Sequence, residues 1–334
     1  MEFPKLNIYT DKIAHNAKII CDRCAGQGIS VVAVTKSVLA DPVITAAITS
    51  SKIETLGDSR LKNLKLLKKN FNHYRLMQLR SPMLSEAEQT AEICDVSACT
   101  QIEVARAINK VCRKKNITHS IMVMLDTDDL REGLLPSQVL PFCRKVFRLS
   151  HVNIASLGTN ARCISSKKPT YNSLFVLSTL QREIRASTGK HIPVLSGGNS
   201  SLLKQVFSGQ IPEEINQLRI GEAILLGHET VGYNKIEGAY NDSFCLEAEI
   251  IEVKRSGNKA ILALGAQDAD ADNLCPVDDS IKVVGQSSDH TVIQPINGRK
   301  LAMGGKISFN INYYSLLSIM TSPFVYKNYI GRQY

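Results

Sequence analysis

A lysine closes the apolar, β-branched run that opens ISVVAVTKSVLADP, residues 29–42, and Pro42 with a helical pattern follows it. The run predicts a buried parallel strand with Lys36 at its mouth. An ammonium there is partly desolvated and loses some of its preference for the charged form; the neutral amine can form a Schiff base with a carbonyl. SGGNSS, residues 196–201, precedes the helical LLKQVF. Its glycines allow close backbone approach, and the helix start offers free amides beside the hydroxyls of Ser200 and Ser201. That combination suits a phosphate, and equally a plain turn with a capping serine. Arg219 interrupts the otherwise apolar LRIGEAILL. A buried guanidinium needs an acceptor or an anion, and Glu222 is the carboxylate at hand.

The elements that must position these groups follow from hydrophobic patterning. Short apolar runs recur at 29–36, 53–59, 74–81, 94–100, 117–126, 151–160, 192–199 and 217–226, each followed by an amphipathic or polar stretch. This is βα spacing, and eight such units predict a closed (β/α)8 TIM barrel, with an open doubly wound sheet as the alternative. Asp11 is placed to cap the first helix, KIAHNAKIICDRC. In a barrel the active groups lie where the strands end. Those ends carry Lys36, the GDSR turn at 57–60, Arg80, Arg131 in DTDDLREG, Asn160 in LGTNARC, and SGGNSS. From Phe244 onward the runs alternate between Gly, Asn, Asp and Pro turns, which predicts an all-β segment. The expected domains are therefore a barrel over 1–230 and a C-terminal β domain over 231–334. A short strand over 5–10 is expected to pair elsewhere, with the second domain.

Composition narrows the function classes. The 334 residues carry 44% apolar side chains, enough for a large core, and the formal charge is +9. The densest basic run, KNLKLLKKNFNHYR, alternates Leu with Lys at helical spacing and reads as a solvated helix face. With no Trp and no nucleic-acid-binding signature, no nucleic-acid partner is expected. No run approaches the length of a membrane span and no signal peptide is evident. Nine cysteines show one CxxC pair, Cys21 and Cys24, inside a helical pattern; they read as packing, with no metal site, reduced thiols and a cytoplasmic location.

Taken together, AVTKSVLADP, LGDSRLKN, MQLRSPM, DTDDLREGLLP, LGTNARC, SGGNSS, LRIGEAILLG, AILALGAQDAD, VVGQSSDHTVI and INYYSLL resemble the fold-type III pyridoxal-phosphate enzymes of the alanine racemase family, closest to its alanine/ornithine racemase subgroup. The resemblance spans almost the whole chain, in order. It implies a pyridoxal-phosphate-dependent amino-acid racemase working as a head-to-tail homodimer on a free, ornithine-like, basic or small amino acid. Lys36 would hold the cofactor aldehyde and act as the catalytic base. Arg219 would face the pyridine nitrogen. Ser200, the backbone around Gly221 and Glu222, and the Tyr313 hydroxyl would hold the phosphate, with Asn160, Asn199 and Ser201 also at the cofactor. Arg131 would meet the cofactor phenolate and the substrate carboxylate, and Ser288 and Asp289 would reach the partner's site.

The chain departs from that pattern in three places. SVLADP replaces the family's tyrosine-bearing loop after the lysine, and Asn160 stands where a histidine is usual. No tyrosine lies between Tyr240 and Tyr313, where the family places the second acid/base. Asp268, His290 and Cys163 are the candidates left for that role. An ornithine-like substrate also needs an acid for its distal ammonium, and Asp58, Asp128, Asp129 and Asp289 are those on offer. A non-catalytic pyridoxal-phosphate-binding protein and a decarboxylase are the alternative functions on the same fold.

Overall fold

A computed structural model describes residues 2–334 except 128, 130, 163, 165, 255–257 and 297. All eight expected runs form strands of one closed parallel barrel. They are β2 (Ser30–Val34), β3 (Thr55–Asp58), β4 (Arg75–Gln78), β5 (Val96–Cys99), β6 (His119–Met124), β7 (Val152–Gly158), β8 (Val194–Ser196) and β9 (Gln217–Ile220), with β9 closing on β2. The open-sheet alternative is thereby excluded.

The strands alternate as a barrel requires. Val32, Met77, Val96, Ala98, Met122 and Met124 fill the interior. Outward residues such as Val31, Ala33, Leu56 and Leu76 join the larger core beneath the helices. Those helices are α1 (Thr10–Ala25), α2 (Pro42–Thr49), α3 (Leu61–Asn70), α4 (Ala87–Ile93), α5 (Ile102–Lys115), α6 (Pro136–Val146), α7 (Tyr171–Thr188), α8 (Leu203–Phe207) and α9 (Glu222–Leu226). In α3, Leu64 and Leu67 are buried while Lys62, Lys65, Lys68 and Lys69 face solvent. Cys21 and Cys24 are free thiols buried in the core, where burial pushes both well above the ordinary thiol range.

Two local expectations are corrected. Asp11 does not cap α1: the helix starts at Thr10, and Asp11 accepts from the Tyr334 hydroxyl at 2.9 Å. The run 217–226 is not one strand: β9 ends at Ile220, Gly221 turns, and EAILL is helix α9. A short apolar run fits a buried strand or a buried helix equally well, and periodicity does not separate the two.

The second sheet is eight-stranded and built from the far end of the chain. It holds β10 (Phe244–Val253), β11 (Ala260–Leu262), β12 (Leu274–Pro276), β13 (Ile281–Gln286), β14 (Thr291–Pro295) and β15 (Lys306–Ile311) in antiparallel register, followed by α10 (Tyr313–Thr321) and β16 (Tyr326–Ile330). The eighth strand is β1 (Lys5–Tyr9), which runs antiparallel to β10 and parallel to β16. Helix α10 packs on the turn that carries Lys36, so the second sheet braces the barrel mouth at one of its catalytic candidates.

Candidate active site

The turn after β2 is fastened before it reaches Lys36. The Thr35 amide donates to the Gly57 carbonyl at 3.0 Å, and its hydroxyl donates to Asp58 at 2.9 Å. Asp58 also accepts from the Arg60 amide and the Asn63 side chain. Burial raises the Asp58 carboxyl above its ordinary range, against the lowering by those hydrogen bonds. Leu39 and Ala40 both sit at φ 54°, a left-handed conformation that costs a non-glycine residue on the order of 1 kcal/mol each. Asp41 then caps α2 by accepting from Val43 at 3.0 Å and Ile44 at 2.9 Å, with Pro42 in the first turn. From the second sheet, the Tyr329 hydroxyl donates to the other oxygen of Asp41 at 2.5 Å. A strained turn is held because its neighbours over-determine it.

Lys36 is half-buried and opens into a cavity of about 1020 Å³ at the barrel mouth. It is the only lysine among the described lining residues, and among the described residues its side chain makes no hydrogen bond or ion pair. Arg131, Asn160, Asn199, Ser200, Arg219, Gly221, Glu222 and Tyr313 line the same cavity, so nine of the expected site residues, counting Lys36, come together.

Arg219 is buried across the barrel. One guanidinium nitrogen donates to the Ser196 hydroxyl and the other to the Thr159 carbonyl. Glu222 pairs instead with His228 at 3.0 Å. Arg219 is thus oriented by neutral acceptors at the end of β8 and just after β7, and the expected Arg219–Glu222 pair is replaced by a carboxylate–imidazole pair in the cavity wall.

At the anion end, Asn199 accepts from the Ser201 amide at 2.8 Å and donates to Asn160 and to the Ala161 carbonyl, both at 2.9 Å. The Ser200 hydroxyl accepts from the Ala223 amide at 3.2 Å, tying SGGNSS to the start of α9. A Cβ on Gly221 would lie 2.9 Å from the Val34 carbonyl, so only glycine lets the two strand ends approach this closely. The Ser201 hydroxyl is buried and has no hydrogen-bond partner among the described residues. The lining also carries Lys36 and five arginines against two carboxylates. The Ser200 hydroxyl beside a close glycine approach, and an excess of cations, fit an anionic cofactor with one aldehyde for Lys36 to hold.

Several expected groups are not brought here. Ser201 is buried and is not among the described residues that line the cavity. Ser288 and Asp289 sit on the exposed turn between β13 and β14, bonded to each other at 2.7 Å, outside this chain's cavity. Asp268 accepts from the Gly265 amide at 2.9 Å as a turn former, and His290 is exposed on the same turn as Asp289; neither lines the cavity. Cys163 and Asp128 lie outside the described residues.

Patterning gave no sign of Glu132, Arg162, His228 and Tyr233, which also line the cavity. Arg162 clamps the Thr230 and Val231 carbonyls at 3.2–3.4 Å. Glu229 organises the same loop. Burial works to raise its carboxyl, but the amides of Asn234, Val231 and Gly232 outweigh that and hold it below its usual range. The loop thereby presents Tyr233, whose phenol is raised by burial and by nearby Glu222. With EAILL taken as strand, no spacing argument could set His228 against Glu222.

Comparison with known proteins agrees with this geometry. A family model described as the alanine racemase N-terminal domain matches residues 8–229. The chain belongs to the alanine racemase family. Among curated proteins it is 33% identical to an ornithine racemase of Acetoanaerobium sticklandii, over 97% of this chain and 99% of that protein. It is also 33% identical to a lysine racemase of Thermotoga maritima, over 98% and 99% of the two chains. Both alignments, 351 and 353 positions, exceed the 334 residues here, so those racemases carry residues this chain lacks. Among solved structures, alanine racemase from Corynebacterium glutamicum superposes with a TM-score of 0.80 at 15% identity, covering 99% of this chain and all of that one, which shows the shared fold.

Proposed function

We propose that this amino-acid racemase interconverts the L and D forms of a free, ornithine-like amino acid, basic or small, using pyridoxal 5'-phosphate. The observation that carries the proposal is Lys36, the lone lysine among the described lining residues, at the end of a barrel strand and facing the serine–glycine anion end across one cavity. The full-length similarity to an ornithine and a lysine racemase supports the basic substrate.

In this proposal Ser200, Asn199, the backbone at Gly221 and Glu222, and the Tyr313 hydroxyl would hold the phosphate. Arg219 faces the ring nitrogen. Bonds to Ser196 and Thr159 orient it, and a guanidinium is too weak an acid to give the ring nitrogen its proton. Arg131 orients the substrate carboxylate. Bound there, the cofactor supplies the conjugated electron-withdrawing system that makes the substrate Cα–H acidic. Lys36 Nζ takes and returns the proton at Cα on its own face.

The protein is further proposed to act as a head-to-tail homodimer in the cytoplasm. The exposed Ser288–Asp289 turn supports a reach into a partner's site, and the scattered free thiols support a reducing compartment. The decisive experiment incubates the protein and the cofactor with L-ornithine, L-lysine, L-alanine and L-serine in deuterium oxide. Both enantiomers, deuterated at Cα, are expected from a basic amino acid. Release of carbon dioxide would instead identify a decarboxylase, and cofactor binding without exchange a carrier.

A further inference from the structure

The loop between β6 and α6 leaves the barrel and returns to it at almost the same point. The Leu134 amide donates to the Met124 carbonyl at 2.8 Å, and the Asp126 amide donates to the Leu134 carbonyl at 3.1 Å. Gly133 makes that closure possible. It sits at φ 155°, and a Cβ there would come within 2.3 Å of the Asp126 amide nitrogen. Arg131 and Glu132, immediately before this pinned glycine, are held at the cavity wall.

Among the described residues few acids are available to a substrate there. Of the expected partners for a distal ammonium, Asp128 lies outside the described residues, Asp58 is buried and satisfied by Thr35, Arg60 and Asn63, and Asp289, on the turn proposed to reach a partner, has both oxygens engaged, by Gln267 at 3.2 Å and Ser288 at 2.7 Å. Asp129 is buried, accepts from the Ile164 amide and lies 3.7 Å from Arg131. Among the described lining residues the carboxylates are Glu222 and Glu132. Glu222 is engaged by His228 at the phosphate end. Glu132 lies 3.7 Å from Arg131, as Asp129 does, and accepts from the Ser81 amide at a long 3.4 Å, but unlike Asp129 it lines the cavity.

We propose that Glu132 is the specificity residue that receives the distal ammonium of a diamino acid whose carboxylate is held by Arg131. The inference rests on the racemase reading above and deepens it by assigning the substrate's side chain. In a cavity dominated by arginines, a cationic side chain is disfavoured unless one carboxylate is reserved for it. Adjacent residues of opposite charge then read the two ends of one extended substrate.

The test compares L-ornithine with L-norvaline, which matches its carbon chain and lacks the distal amine. In Glu132→Gln, the ratio of kcat/KM for ornithine to that for norvaline is expected to fall roughly tenfold or more, mainly through the KM for ornithine. Glu132→Asp should restore part of it. Calorimetric binding of ornithine to the cofactor-loaded protein should weaken in parallel. An unchanged ratio, with both substrates impaired equally, would show that Glu132 only orients Arg131 and would overturn the assignment while leaving the racemase reading intact. A wild-type protein that racemises alanine but no diamino acid would also overturn it. Absence of racemisation with every amino acid would overturn both.

Discussion

At the scale of single residues, the site is organised around one amine whose surroundings leave it available for chemistry. Lys36→Ala is expected to abolish racemisation and to remove the visible absorbance and borohydride-trappable label that the cofactor gives the wild type; retention of a reducible covalent adduct would move the attachment elsewhere. Gly133 is the second residue on which much depends. Gly133→Ala places a Cβ against backbone that cannot move aside, at a φ that L side chains rarely adopt. It should cost about 2 kcal/mol or more in denaturant unfolding and lower kcat/KM further by displacing Arg131 and Glu132. Lys36 and Arg219 were legible because each breaks an apolar run, and SGGNSS because its glycines and serines cluster before a helix, whereas Arg131 was singled out only by its place after a strand and by the family resemblance. Glu132 was not, because a glutamate beside an arginine in a polar loop looks like any solvated pair until Gly133 is seen closing that loop.

At the scale of elements, the barrel strands were readable because buried parallel strands are continuous apolar runs, and all eight stood out against polar spacers. The failure at 217–226 has the same origin: nothing in EAILL separates a short buried helix from a continuing strand, so the Glu222–His228 contact stayed hidden. The Lys36 turn was legible only as a place. Its two left-handed residues and its brace from β16 are tertiary facts. Tyr329→Phe removes the hydroxyl that bonds Asp41 while keeping the ring. We expect a loss of about 1 kcal/mol in stability, as for a hydrogen bond to a charged group at a half-exposed site, and a shift in the titration of the cofactor's visible band, because the strained turn loses one restraint. Tyr329→Phe with unchanged spectra and stability would show the turn to be held from the barrel side alone.

At the scale of the whole molecule, acid sensitivity has an identifiable contributor. His119 begins β6 at the end of the barrel away from the active site, 2% exposed, with its Nε2 2.9 Å from the Ser97 hydroxyl. Burial lowers its pKa from 6.5 to about 4, opposed weakly by the Cys94 backbone and Asp95. The folded protein therefore holds this ring neutral where the unfolded chain would protonate it. The stability contribution is present in full above pH 6.5 and is lost as pH falls from 6.5 towards 4, amounting to about 3 kcal/mol at the lower limit. Denaturant midpoints measured between pH 7 and pH 4.5 should fall more steeply for the wild type than for His119→Gln. Equal slopes would place the acid sensitivity elsewhere.

The placing of β1 between β10 and β16 sets an order of events. As the chain is synthesised, its first strand emerges with neither of its neighbours in existence: Ile8 must wait for Phe244, and Lys5 for Tyr326. The barrel can close from nearest-neighbour βα units while this strand trails from α1 with both edges open. The nascent protein thus carries an unclaimed sticky ribbon for most of its production, and the window in which a chaperone is most needed ends only when the final strand arrives.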